Sequence, residues 1–109
     1  MKRGDVVVMV APGDIGKPRP AIIVQADELG PDVMSFLLCP MSSEIQELNY
    51  ARPVFEPSEE NGLRSRSQVM VDKMIALRRE RIRRTIGHIS QREREQLDRA
   101  LLVVLGLAR

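Results

Sequence analysis

Four short stretches carry the side chains able to do chemistry. Arg19 lies between two prolines in "GKPRPAIIV", where a Gly-rich loop runs into an apolar segment. Pro20 disfavours the helical region for Arg19 and Pro18 restrains the turn before it, so the arginine backbone is held at a strand entrance. A guanidinium fixed in this way can grip a phosphate with two parallel hydrogen bonds, or cover a barrel end and pair with Asp5 or Asp14; pattern alone favours the structural use. Ser42 and Ser43 close "LLCPMSS". They suit helix capping, the commoner use of serine there, with a hydroxyl contact to phosphate as the alternative. Asp72 interrupts "SQVMVDKMIAL" as a turn acid or a base, with Lys73 beside it to keep it ionised. His88, the one histidine, follows Gly87 in a turn-like context and reads as solvated.

Several other chemistries lack their residues. The single cysteine, Cys39, permits no internal disulfide and sits in an apolar run as a small hydrophobe. No zinc spacing, Walker loop, Rossmann fingerprint or serine-hydrolase elbow occurs, and no helical pattern follows "GDIG" to offer a phosphate a helix N-terminus. No metal and no cofactor is expected. Catalysis must use Arg, Ser, Asp or Glu.

Charge is uneven. The formal net charge is only +2, yet "RRERIRR" (residues 78–84) concentrates arginine, while residues 44–60 carry Glu44, Glu47, Glu56, Glu59 and Glu60 against Arg52 alone. At 109 residues the chain fits one domain, and 43% apolar content with 3% aromatics calls for an aliphatic core. No long apolar N-terminal segment or membrane-length stretch occurs, so a cytoplasmic protein is expected.

The elements that must position these residues are mostly strands. "DVVVMVA" (5–11), "AIIVQA" (21–26) and "VMSFLLCPM" (33–41) are short, apolar and β-branched. "SSEIQELNYAR" has room for one helical turn capped by Ser42 or Ser43. "PVFE" starts at Pro53 and suits an edge strand. Residues 67–78 form a strand pair or one bent strand broken at Asp72-Lys73, and "RIRRTIGHI" a short strand with a turn at Gly87. The clearest helix is C-terminal. Ser90 and Glu93 make a capping box, Leu97, Ala100, Leu101, Val104 and Leu105 an apolar stripe, and Gly106 a stop. Strands followed by one helix predict a mainly β fold, a small antiparallel barrel with an appended helix.

These segments, in this order, resemble the MazF/PemK/Kid toxins of bacterial toxin–antitoxin pairs. Arg3-Gly4-Asp5, the loop 12–18 and Arg19-Pro20-Ala21-Ile22-Ile23-Val24 are similar to the family's first motif. "CPMSSE" is similar to its second, "SQVMVDKMIALRRERI" to its third, and "IGHISQREREQLDRALLVVLGL" to its closing turn and helix. The resemblance spans the chain as a single toxin domain, residues 1–109. It implies an SH3-like barrel, a homodimer, and a metal-independent endoribonuclease acting on single-stranded mRNA. The RNA 2′-hydroxyl would attack its own phosphate, leaving a 2′,3′-cyclic phosphate and a 5′-hydroxyl.

By the same resemblance, Arg19 matches the catalytic arginine, Ser42 the hydroxyl position that is commonly Thr, and Asp72 an acid implicated as base in some members. Lys17, Pro18, Pro20, Ser43 and Lys73 would line the RNA groove, beside a flexible loop of Gly13, Asp14, Ile15 and Gly16. The implied partner besides RNA is an antitoxin with a disordered segment, acidic and apolar. Three departures are visible: Ser for Thr at 42, Lys73 where Gln often follows the acid, and Met70 where Kid-type members carry an Arg that pairs with the acid. Two rival readings use the same architecture. A CcdB-like gyrase poison ends in Trp-Gly-Ile, whereas this chain has no Trp and ends "LGLAR". A non-catalytic RNA-binding barrel is the other.

Overall fold

The computed structural model describes residues 1–13, 16–46 and 51–108. Three apolar runs form the centre: β1 (Asp5–Met9), β2 (Arg19–Ile23) and β3 (Ser35–Ser42). They are joined by β4 (Val54–Phe55), β5 (Ser67–Val69), β6 (Ile75–Arg78) and β7 (Ile82–His88) in the order β4-β5-β3-β2-β1-β7, with β6 also paired to β3. Every pairing is antiparallel, and the sheet curls into a half-barrel followed by helix α1 (Gln91–Val104). The expected mainly β architecture with one C-terminal helix is the one that forms.

The continuous apolar runs are explained by burial on both faces. Val6, Ile22, Val24, Cys39 and Met41 enter one core cluster, where Leu97 and Ala100 of α1 pack. Their alternates Val7, Met9, Ala21, Ile23, Phe36 and Leu38 enter the other. Side chains alternate across a strand, so Val6 and Val7 of β1, and Ala21, Ile22 and Ile23 of β2, cannot be polar without breaching one core or the other. Burial of Cys39 pushes its thiol up to about 12, which suits the expected role as a small hydrophobe.

β3 is the hinge of the sheet. Ser35–Leu38 pair with β6, Met41 and Ser42 with β5, and the chain between those partners lifts into a 3-10 turn at Val71–Lys73. The expected break at Asp72-Lys73 is this turn. Pro40 sits opposite it. A proline has no N–H to give a ladder, so it is accommodated where the ladder changes partner, and its carbonyl still accepts from Met70 N at 2.8 Å. Strand β3 therefore runs through Pro40 to Ser42.

The expected helical turn after Ser42 does not form in 43–46, and residues 47–50, including Tyr50, lie outside the described residues. The Ser42 hydroxyl instead accepts from Glu44 N at 3.0 Å, a local turn that competes with helix. The capping box of α1 forms as expected, with Ser90 Oγ accepting from Glu93 N and Glu93 accepting from Ser90 N. Gly106 ends the helix at φ 72°. Leu105, placed in the apolar stripe by its spacing, is exposed because it falls beyond the last helical turn.

One glycine was misread. Gly87 makes no turn but lies inside β7. The backbone of Glu60 and Asn61 crosses directly over it, and a Cβ would overlap both carbonyl oxygens. Close approach, not a turn, requires glycine here. Gly87→Ala is therefore expected to lower stability by about 1–3 kcal/mol, read from the midpoint of urea unfolding.

Candidate active site

The β2–β3 register decides where the chemistry lies. Ala21 is opposite Pro40, and Arg19 is opposite Met9 on the other neighbour. Extended by two residues, that register carries Arg19 toward Ser42, with which it lines the same clefts, and Ser42 is opposite Gln68 of β5. Arg19 is thus the first residue of β2 rather than part of the loop before it. It alternates with Ala21 and Ile23, so it emerges where the second core face runs out.

Two clefts meet at this point. The larger, about 430 Å³, has an apolar base that includes Met9, Pro40 and Met70, and its polar lining is Arg19, Ser42, Glu44, Gln46, Arg52 and Lys73. The smaller, about 280 Å³, is lined by Lys17, Pro18, Arg19, Pro20, Ser43 and Ser67 among others, and shares Arg19, Ser42 and Glu44 with the first. The residues expected from sequence thus divide between the clefts. Lys17, Pro18, Pro20 and Ser43 lie on one side and Lys73 on the other, with Arg19 and Ser42 between. Gly13 and Gly16 have positive φ of 87° and 72°, and Asp14 and Ile15 lie outside the described residues. His88 is exposed beside Glu60, at 3.4 Å, and lines neither cleft.

Arg19, Arg52 and Lys73 against Glu44 give the larger cleft a positive lining, suited to an anion. Ser42 Oγ spends an acceptor lone pair on Glu44 N, which leaves its O–H to donate outward. Among the described residues, no group of three His, Cys, Asp or Glu side chains is placed to hold a metal ion.

Asp72 itself lines neither cleft, although Arg52, to which it is bonded, and Lys73 beside it line the larger one. Its carboxylate accepts from Arg52 Nε at 2.9 Å and from Arg52 Nη2 at 3.1 Å. That two-pronged bond from Arg52 holds the Asp72 carboxyl below its usual value, against a smaller opposing effect of burial, with Lys73 contributing last. The arginine pairing that Met70 seemed to rule out is therefore made by Arg52, from the chain following β3. Gln68 fixes that segment. It is 1% exposed, its Oε1 accepts from Gln46 N at 3.0 Å, and its Nε2 donates to Gln46 O at 2.7 Å and Arg52 O at 3.2 Å.

Arg52, Gln68 and Glu44 were not singled out from sequence. The available signals were an isolated cation in an acidic stretch and an amide inside the apolar run "SQVMV".

Comparison with known proteins gives the family and the fold. Residues 2–105 match the family described as the PemK-like, MazF-like toxin of type II toxin-antitoxin systems. The chain belongs to that family. A relative from Mycolicibacterium smegmatis, "Probable endoribonuclease MazF", is 33% identical over 109 residues, covering 99% of each chain. Among solved structures, the Mycobacterium tuberculosis toxin MazF-mt6 superposes with a TM-score of 0.82 at 18% identity, over 96% of this chain and 99% of that one. A mycobacterial endoribonuclease in complex with its cognate antitoxin superposes at 0.83 and 16% identity, over 100% and 98%. The likeness to MazF/PemK toxins read from the ordered motifs is borne out in family and in fold.

The lowered Asp72 value makes an acid-side prediction. A carboxylate whose folded value lies below its unfolded one stabilises the fold above the usual value of 3.8, and that contribution is lost as pH falls through the lower folded value. Melting temperature should therefore drop below pH 3.8 in the parent protein and drop less steeply in Asp72→Asn, as followed by circular dichroism.

Proposed function

We propose that this chain is a cytoplasmic toxin that cuts single-stranded mRNA without a metal, acts as a homodimer, and is restrained by an antitoxin peptide. The observation that carries the reading is the meeting of two clefts at Arg19 and Ser42. An RNA strand laid through both places one phosphodiester at their boundary, with the nucleotides on either side in separate clefts.

The reaction needs charge stabilisation and two proton transfers. The 2′-oxygen attacks phosphorus, the bond to the 5′-oxygen breaks, and the products are a 2′,3′-cyclic phosphate and a 5′-hydroxyl. The 2′-hydroxyl proton leaves to a base, either the Asp72 that the family resemblance offers or the Glu44 carboxylate that lines the cleft, and the departing 5′-oxygen gains one from water. Arg19 donates to the non-bridging oxygens as their charge rises, and the Ser42 O–H supplies a second donor. A guanidinium is a poor acid, so Arg19 serves by charge more than by proton donation. Lys17, Pro18, Pro20 and Ser43 border the strand on one side and Lys73 on the other. Phe36 and Phe55 are buried, so grip on the bases falls to hydrogen bonds and backbone groups more than to stacking.

An acidic, partly apolar antitoxin segment suits the same positive lining. Exposed Leu102, Val103, Leu105 and Leu107 at the end of α1 supply apolar surface for a subunit contact. Among the described residues, no helix is long and apolar enough to cross a membrane.

Long RNA incubated with the protein in EDTA should yield discrete cuts bearing cyclic-phosphate ends. Arg19→Ala should slow cutting by at least about 100-fold while leaving the circular dichroism spectrum unchanged. Intact RNA across varied sequences would favour a pure binder, and a fully active Arg19→Ala would remove Arg19 from the chemistry.

A further inference from the structure

We infer that Arg52 is a second phosphate-binding guanidinium of this site, and that Asp72 acts as its positioning residue and not as the base. The inference rests on the endoribonuclease reading.

Arg52 is 7% exposed, yet it lines the larger cleft together with Arg19 and Ser42. A guanidinium has five N–H donors in a planar fork. Asp72 engages one edge, through Nε and Nη2, and the Nη1 end has no partner among the described residues. The head is thereby fixed in plane and rotation with donors to spare. The backbone is fixed as well, because Gln68 holds the Arg52 carbonyl and the backbone N–H and carbonyl of Gln46. A cation locked at both ends pays little reorganisation when charge develops beside it.

The reaction asks for such a group. A phosphodiester carries one negative charge, and the phosphorane formed by 2′-oxygen attack carries a second. Arg19 and the Ser42 hydroxyl meet part of this rising charge. Arg52 adds a donor suited to the extra charge, and interactions that strengthen only in the transition state are the ones that raise kcat.

Asp72 is poorly suited to the role of base. Arg52 takes both its oxygens, the pairing favours its ionised form, and it lines neither cleft. An effective general base is exposed to its proton and balanced near the working pH. Stability is a weak reason for the pair to exist, since the Asp72 carboxylate is 39% exposed and ion pairs with an exposed partner contribute little.

The test is a double-mutant cycle on single-turnover RNA cleavage with Arg52→Gln, Asp72→Asn and both together. Arg52→Gln should slow cleavage about 100-fold or more. Asp72→Asn should cost about tenfold alone and almost nothing when added to Arg52→Gln, the non-additivity of residues acting through one group. A second arm measures binding of a fully 2′-O-methylated single-stranded RNA, which cannot be cut, across a salt series. Losing one phosphate contact should reduce the slope of log affinity against log salt by about 0.7 in Arg52→Gln, a change that a purely structural arginine would not produce.

The inference is overturned if Arg52→Gln cuts at the parent rate, if its salt slope is unchanged, or if Asp72→Asn costs as much in the Arg52→Gln background as it does alone. That last result would mark Asp72 as acting on the RNA itself. If Arg52→Gln is too unstable to assay, Arg52→Lys carries the test. Its salt slope should hold while the rate falls, and an undiminished rate would overturn the two-pronged placement. A parent protein that cuts no RNA would overturn the endoribonuclease reading, and the salt slope would then decide the Arg52 contact alone.

Discussion

The structure depends on a change of partner along β3. That strand is paired along both edges, to β2 on one side and to β6 and then β5 on the other, and the exchange occurs at Pro40. A residue with N–H and side chain both committed to a regular ladder would hold β5 and β6 in one continuous strand. Proline gives no such bond, so the opposite chain is free to leave the sheet as the turn Val71–Lys73. That departure brings Asp72 to Arg52, and it leaves Ser42 past the exchange, beside Arg19 on β2 and Gln68 on β5.

Register does the remaining positioning. Because β1, β2 and β3 are buried on both faces, a one-residue slip of β2 against β3 would exchange the two aliphatic cores and turn Arg19 toward the helix side. The apolar side chains of two cores therefore fix the direction of one charged side chain. The sequence "RPAII" contains the whole device. Its last three residues lock the strand, and its first stands where burial ends.

Much of this was legible before any coordinates. The strands, the helix with its capping box and stop, and the break at Asp72-Lys73 are local features, written in periodicity and in single punctuating residues. The Arg19–Ser42 neighbourhood was legible only through the ordered motifs, because strand pairing is not local. Arg52 was missed for the same reason carried further: its partner lies 20 residues away across a loop, and nothing in the intervening pattern encodes the approach. Gly87 was misread because glycine serves both turns and close contacts. The distinction rests on the Glu60-Asn61 backbone, which a linear reading does not place over β7.

The charge arrangement of the larger cleft has an energetic consequence. Arg19, Arg52 and Lys73 line one volume of about 430 Å³, so their mutual repulsion works against the folded state. Asp72 relieves part of it through the two-pronged bond it accepts from Arg52, whereas Glu44 stands within the cleft itself. A bound polyanion would complete the neutralisation, and so would an acidic peptide. The two proposed partners of this surface, RNA and antitoxin, are therefore drawn by the same positive lining, and either should raise the stability of the fold it occupies. Competition between them needs no conformational switch, because one set of guanidinium groups cannot serve both anions at once.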